Sequence, residues 1–289
     1  MKKDAYLQDD DVARFLEWVE PLVAGHTGIH VSWKSKGHPF ECATLEQAYL
    51  RYNWRGRVER GDGLTETIAT FEETARVFDE WRHTMRAIMG RNASELDDHQ
   101  RFIATSKRIR EWGGIRRHGD LEKLGSSAFA VLSDNARKLN PESGDTDDLR
   151  SFRHMGSGYS KIYAMMVPSL PIYDSRVACA LTSLILIHCR QYELPGVPET
   201  LELGVPQSQG NQPRNPSTGP YAFPTIWHSA AHGSRYAISN LKAAWLIAEM
   251  AGRGEPFAGR EQSCGILALQ SALFMIGYRR FDESALTDR

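Results

Sequence analysis

His154-Met-Gly-Ser-Gly-Tyr-Ser-Lys161 and, after it, Pro171-Ile-Tyr-Asp174-Ser-Arg-Val-Ala178 decide how this chain is read. The Gly-Ser-Gly turn reads as the end of one helix and the start of another. The first arm is predicted over 145–155. The second carries Lys161 in its first turn and stops near Pro168, where a proline cannot extend it. Asp174 lies thirteen residues beyond Lys161 and opens a helix predicted over 174–192. That helix is apolar nearly all round, through Val177, Ala178, Leu181, Leu184, Ile185 and Ile187. A helix without a polar face belongs in a core.

Helical periodicity spreads outward from this centre. It predicts helices over 12–23, 44–53, 65–89, 94–112, 120–139, 234–251 and 260–279. Ser94, with Asp97 three residues on, reads as the cap of the fourth, and Gly113-Gly114 as its stop. Only Ile29-His-Val-Ser-Trp33 reads as a strand. The expected fold is therefore mainly α, with at most a small β element near the N-terminus. One unit is expected over 1–289: an N-terminal helical part (1–110), the hairpin and apolar helix (145–192), a long Pro-, Gly- and Asn-rich loop (193–224) and closing helices (225–289). A loop of that length is usually functional or disordered.

The 289 residues carry a net charge of −1, so a wholesale basic coat is excluded and any polyanion contact must be local. Local basic runs occur at 51–60, interleaved with Tyr52 and Trp54, at 107–117, and at Arg279-Arg280. Each reads first as a solvated face and only second as a phosphate track. None of the four cysteines forms a C-x-x-C pair, so neither a metal nor any other cofactor is expected. His228 and His232 stand at i, i+4, but Ser229 occupies the place where a zinc protease has glutamate. No apolar leader is expected, and the run from Val177 to Ile187 is too short for a bilayer. A cytoplasmic chain with no membrane contact is expected; protein partners are not legible.

Glycine turns and helix N-termini present backbone N–H groups to anions. Gly156, Ser157, Gly158, Tyr159 and Ser160 are thus candidates for a DNA phosphate contact, with Gly156 and Gly158 clearing the approach. An ordinary αα-turn with a C-cap glycine has the same appearance. Lys161 is a candidate nucleophile if burial or nearby charge depresses its pKa; otherwise it is a surface lysine. Asp174 is a good helix N-cap, and a capping carboxylate keeps a second oxygen for a substrate.

The segment Met155-Gly-Ser-Gly-Tyr-Ser-Lys161 … Pro171-Ile-Tyr-Asp174-Ser-Arg-Val-Ala178 resembles the helix-hairpin-helix DNA glycosylases, and their 8-oxoguanine branch most. The resemblance puts Lys161 on the family's Schiff-base lysine and Asp174 on its catalytic aspartate. Relative to that branch, one extra residue precedes Lys161 and the interval to Asp174 is shorter. Gln270-Ser-Ala-Leu-Phe274 resembles the helix whose glutamine and phenylalanine contact the flipped base; core packing is the other reading of that pair. Tyr173, Trp227 and His228 are further candidates for the base pocket. The resemblance implies a helix-hairpin-helix glycosylase fold and a DNA glycosylase that flips and excises a modified base from duplex DNA. A bifunctional repair glycosylase with AP lyase activity is one variant. A DNA-binding hairpin without chemistry is another. The whole pattern looks most like bacterial phage-defence glycosylases, which implies a glucosylated hydroxymethylcytosine as the base.

Overall fold

A computed structural model describes residues 1–35, 38–59, 63–91, 96–208 and 213–288. Among these the chain is mostly helical. The N-terminal half holds α1 (Lys3–Leu7), α2 (Asp10–Val23), α3 (Leu45–Leu50), α4 (Phe71–Gly90) and α5 (Leu96–Trp112). Then come α6 (Gly119–Glu122), α7 (Ala128–Lys138), α8 (Ser157–Met166) and α9 (Ser175–Gln191). The chain closes with α10 (Gly233–Arg253), α11 (Glu255–Ala258) and α12 (Gln262–Ile276). None of the described helices is long and apolar enough to cross a membrane.

The sequence signals that held are those with caps or an unbroken apolar face. Asp9 caps α2 by accepting from the N–H groups of Asp11 and Val12. Asp174 caps α9 in the same way, and Val177 through Cys189 are then buried without exception. Core residues at this depth are expected to cost about 2–5 kcal/mol each when cut to alanine. Helix α12 packs on α9, and α10 packs on α12 and α2 to complete the core.

Several expectations fail for local reasons. The helix predicted over 65–89 begins only at Phe71: Thr70 and Glu73 form a reciprocal capping box there. Thr65–Ile68 is strand β5 instead, paired antiparallel with β4 (Gly56–Glu59). The helix predicted over 120–139 is broken, because Gly125 takes a positive φ of 52° between α6 and α7. The first arm of the hairpin is not an α-helix. After a short 3-10 turn at Thr146–Leu149, residues 150–156 run irregularly into α8. Tyr163 accounts for this: its hydroxyl donates to the His154 carbonyl, its ring packs on Phe152, and Asn135 donates to its oxygen. Ser94 lies outside the described residues.

Sheet structure exceeds the one small element expected. β1 (Thr27–Ile29) pairs with β8 (Leu286–Asp288) at the far end of the chain. β2 (Val31–Ser35) and β3 (His38–Cys42) form a hairpin. In the long loop, β6 (Val205–Pro206) lies parallel to β7 (Thr225–Ile226).

Candidate active site

The backbone of Pro171-Ile-Tyr-Asp174 is clamped group by group. Asn240 donates to the Pro171 carbonyl at 3.2 Å, and the Ile172 N–H donates to Gln270 Oε1 at 2.7 Å. The Tyr173 N–H donates to Ser160 Oγ at 2.7 Å, and the Tyr236 hydroxyl donates to the Tyr173 carbonyl. Asp174 follows in an extended conformation and turns the chain into α9. Its Oδ1 accepts from the N–H groups of Arg176 at 2.9 Å and Val177 at 3.2 Å. Its Oδ2 faces Lys161, 3.9 Å from Nζ.

Lys161 is only 4% exposed. Its Nζ donates to both the carbonyl and the hydroxyl of Ser157, one turn earlier, at 3.1 Å each. Its stem lies against Gly113; a Cβ there would come within 2.3 Å of Lys161 Cε. Burial lowers the Lys161 pKa, with Asp174 opposing the shift and Arg176 and Arg110 adding to it. Desolvation penalises the ammonium, and the single carboxylate does not cancel the penalty.

Lys161 and Asp174 share a cavity of about 80 Å³ with Tyr52, Trp54, Trp112, Ile172, Gln270 and Phe274. Arg176 packs against two of the lining rings. It stacks over Phe274 at 4.4 Å, Tyr278 at 4.9 Å and Trp54 at 5.5 Å, and its own pKa falls to about 10, mainly through burial. Trp54, Gly113 and Ser157 also line a second, open cleft of about 790 Å³. That cleft carries Arg110, Lys123, Arg153, His154, Arg214 and His228 against Asp120. The start of α8 faces it without any side-chain cap among the described residues.

The residues predicted for this site divide accordingly. Lys161, Asp174, Gln270 and Phe274 meet at the inner cavity, joined by Ser157. Gln270 also holds Ile172 in place. Tyr173 is not a pocket residue: it is fully buried, and its hydroxyl donates to the Gly204 carbonyl. Ser160 is not a phosphate contact either, since its buried hydroxyl bridges Asn240 and the Tyr173 N–H. Gly156 lines the cleft, and a Cβ there would meet nothing within 4 Å. Gly158 makes room for protein rather than ligand, with Arg110 Nε and Ile115 Cδ1 3.0 and 3.1 Å from where its Cβ would stand. Tyr159 is buried beneath the cleft, 5.5 Å from the Arg110 guanidinium carbon. Trp227 and His228 line the cleft, outside the inner cavity. Among the described residues no group of three His, Cys, Asp or Glu could hold a metal.

Sequence reading missed the near wall. Tyr52 and Trp54 stand in a basic run and turn inward. Trp54 Nε1 donates to the Trp112 carbonyl, and that bond carries the loop after α3 onto the end of α5. The aromatic interleaving at 51–60 was the available signal. No family model, no curated protein and no solved structure matches this chain.

Proposed function

We propose that the chain is a DNA glycosylase. The observation that carries this is the pair in the inner cavity: a lysine stripped of water, and a helix-capping carboxylate whose free oxygen lies 3.9 Å away. They sit behind aromatic walls at the back of a basic cleft. The cavity, at about 80 Å³, is far below the ~300–1,000 Å³ of ordinary ligand sites. A flipped nucleotide therefore spans cavity and cleft across Trp54, Gly113 and Ser157, with its phosphates toward the cations and the uncapped start of α8.

In this reading Asp174 stabilises the positive charge that grows on the sugar as the N-glycosidic bond breaks. Water then adds its oxygen to C1′, the departing base leaves with the bonding electron pair and takes up a proton, and an abasic site remains. A second route is favoured by the lowered Lys161 pKa. The neutral amine attacks C1′, and the base leaves with the bonding electron pair and takes up a proton; the C1′–O4′ bond then opens, with O4′ taking a proton, to give an iminium that permits strand cleavage by β-elimination.

Base release tests the proposal. Wild type and Asp174→Asn are incubated with duplexes carrying 8-oxoguanine, uracil, hydroxymethylcytosine or glucosylated hydroxymethylcytosine, and freed bases are measured by mass spectrometry. Release that disappears in Asp174→Asn supports the reading and names the base. DNA binding without release from any duplex favours a recognition module, with Asp174 serving only as a cap. Borohydride trapping of a covalent DNA adduct, lost in Lys161→Ala, separates the lyase route from hydrolysis.

A further inference from the structure

The chain has seven tryptophans, and six of them pack on the core. Trp227 is the exception at 53% exposed. Its neighbours hold it outward. Thr225 and Ile226 are paired in β7, and the Gln207 N–H donates to the Ile226 carbonyl at 2.9 Å. Ile226 points inward and fills the space left by Gly204, where a Cβ would sit 2.5 Å from its Cδ1. Alternation along a strand then turns the next side chain to the opposite face. The Trp227 carbonyl accepts from Ser229, and Asn215 ties Phe223 and Thr225 together from behind. An indole fixed in water by ordered neighbours forgoes burial that its ring normally gains.

The surroundings say what covers it. Trp227 stands at the mouth of the open cleft beside His228 and His232, with Arg153, His154 and Arg214 on the same walls. An apolar protein partner would meet the charged Arg153 and Arg214 on the same walls. A nucleobase meets the ring with its flat face while its phosphates meet the cations. Paired DNA hides those faces in the stack, so only an unpaired or displaced base offers one.

We propose that Trp227 is a stacking platform for an unpaired DNA base, by which the protein favours duplex sites where pairing is already broken. This rests on the DNA reading of the cleft and adds to it a rule for choosing sites. It assigns the segment after β7 a task separate from the cavity: Trp227 senses the disturbed stack, and Lys161 and Asp174 act on the sugar.

The test is equilibrium binding, by fluorescence anisotropy, to a fully paired duplex and to the same duplex with a single-base bulge. Wild type is expected to favour the bulged duplex by roughly tenfold, within the range of one base–aromatic stack. Trp227→Ala should lose that preference while holding the paired duplex within about twofold and keeping the same salt dependence, because an indole carries no charge. Trp227→Phe should retain most of the preference. An exposed side chain with no hydrogen bond among the described residues leaves folding intact, which thermal melting checks. Preference retained in Trp227→Ala, or absent from wild type that binds both duplexes, overturns the platform and leaves the glycosylase reading standing. Failure of wild type to bind either duplex overturns the DNA reading and the platform with it.

Discussion

The inner cavity and the outer cleft meet at Trp54, Gly113 and Ser157 but are built on opposite terms. In the cavity the polar groups are buried and mostly bonded before any ligand arrives: Oδ1 of Asp174 to two N–H groups, Nζ of Lys161 to Ser157, Oε1 of Gln270 to Ile172. In the cleft Lys123 and Arg153 are exposed to water near the uncapped start of α8. Interactions between the buried pair are strong and barely screened, whereas those in the cleft fall away with salt. The contrast teaches that reaction and attraction are held by separate sets of residues, so each can be damaged alone.

Asp174→Asn should show this most sharply. Asparagine caps a helix nearly as well, so fold and DNA affinity should persist while base release falls at least ~100-fold. Release at the wild-type rate would mean the cavity is not the reacting centre. Gly113→Ala comes next. Its methyl would stand 2.3 Å from Lys161 Cε, so the stem must shift. Release should slow on the order of tenfold, short of the ~100-fold that a displacement of an ångström can cost. DNA affinity should not change, and a loss of affinity instead would join the two regions that this comparison separates.

Arg153→Ala tests the cleft. Binding should weaken a few-fold and the salt slope should fall by about 1, with single-turnover release at saturating protein unchanged. His188 belongs to neither region and serves as the control. It is 1% exposed, ringed by Phe15, Trp18 and Tyr192, and its Nδ1 has no partner among the described residues. Burial, helped by Arg14, pushes its pKa down from 6.5 to about 4. As pH falls the unfolded chain takes the proton first, so stability is full above the unfolded pKa and drains away toward pH 4. The loss reaches up to ~3 kcal/mol. In His188→Phe that slope should vanish from denaturant melts across this pH range, with neither release nor binding altered.

The same contrast governs how much the sequence revealed. Asp174 and Lys161 were legible because a cap, a glycine turn and an apolar helix each leave a local mark. Gln270 and Phe274 were legible by their i, i+4 spacing and by resemblance. Tyr52, Trp54 and Gly113 were not read as cavity wall, because what turns them inward is a hydrogen bond from Trp54 to Trp112 across 58 positions. Strand β5 escaped because Thr65-Glu-Thr-Ile68 runs straight into a helical pattern, and only the Thr70–Glu73 capping box divides them. Tyr173 and Ser160 were given to the site because they neighbour it in sequence; their side chains turn away to hold the loop that carries Asp174.

The walls of the cavity come from four stretches far apart in the chain, around 52–54, 112–113, 157–177 and 270–274. In folding terms the cavity is a late event. Closing those loops is a loss of chain entropy met before any contact within it forms, and native contacts of this span slow a fold's completion. A chain shortened before residue 270 lacks the wall opposite Asp174 and the group that holds Ile172. Competence at this site is therefore all-or-none with the finished fold, and a partly folded copy carries the basic cleft's attraction at most, without the chamber behind it.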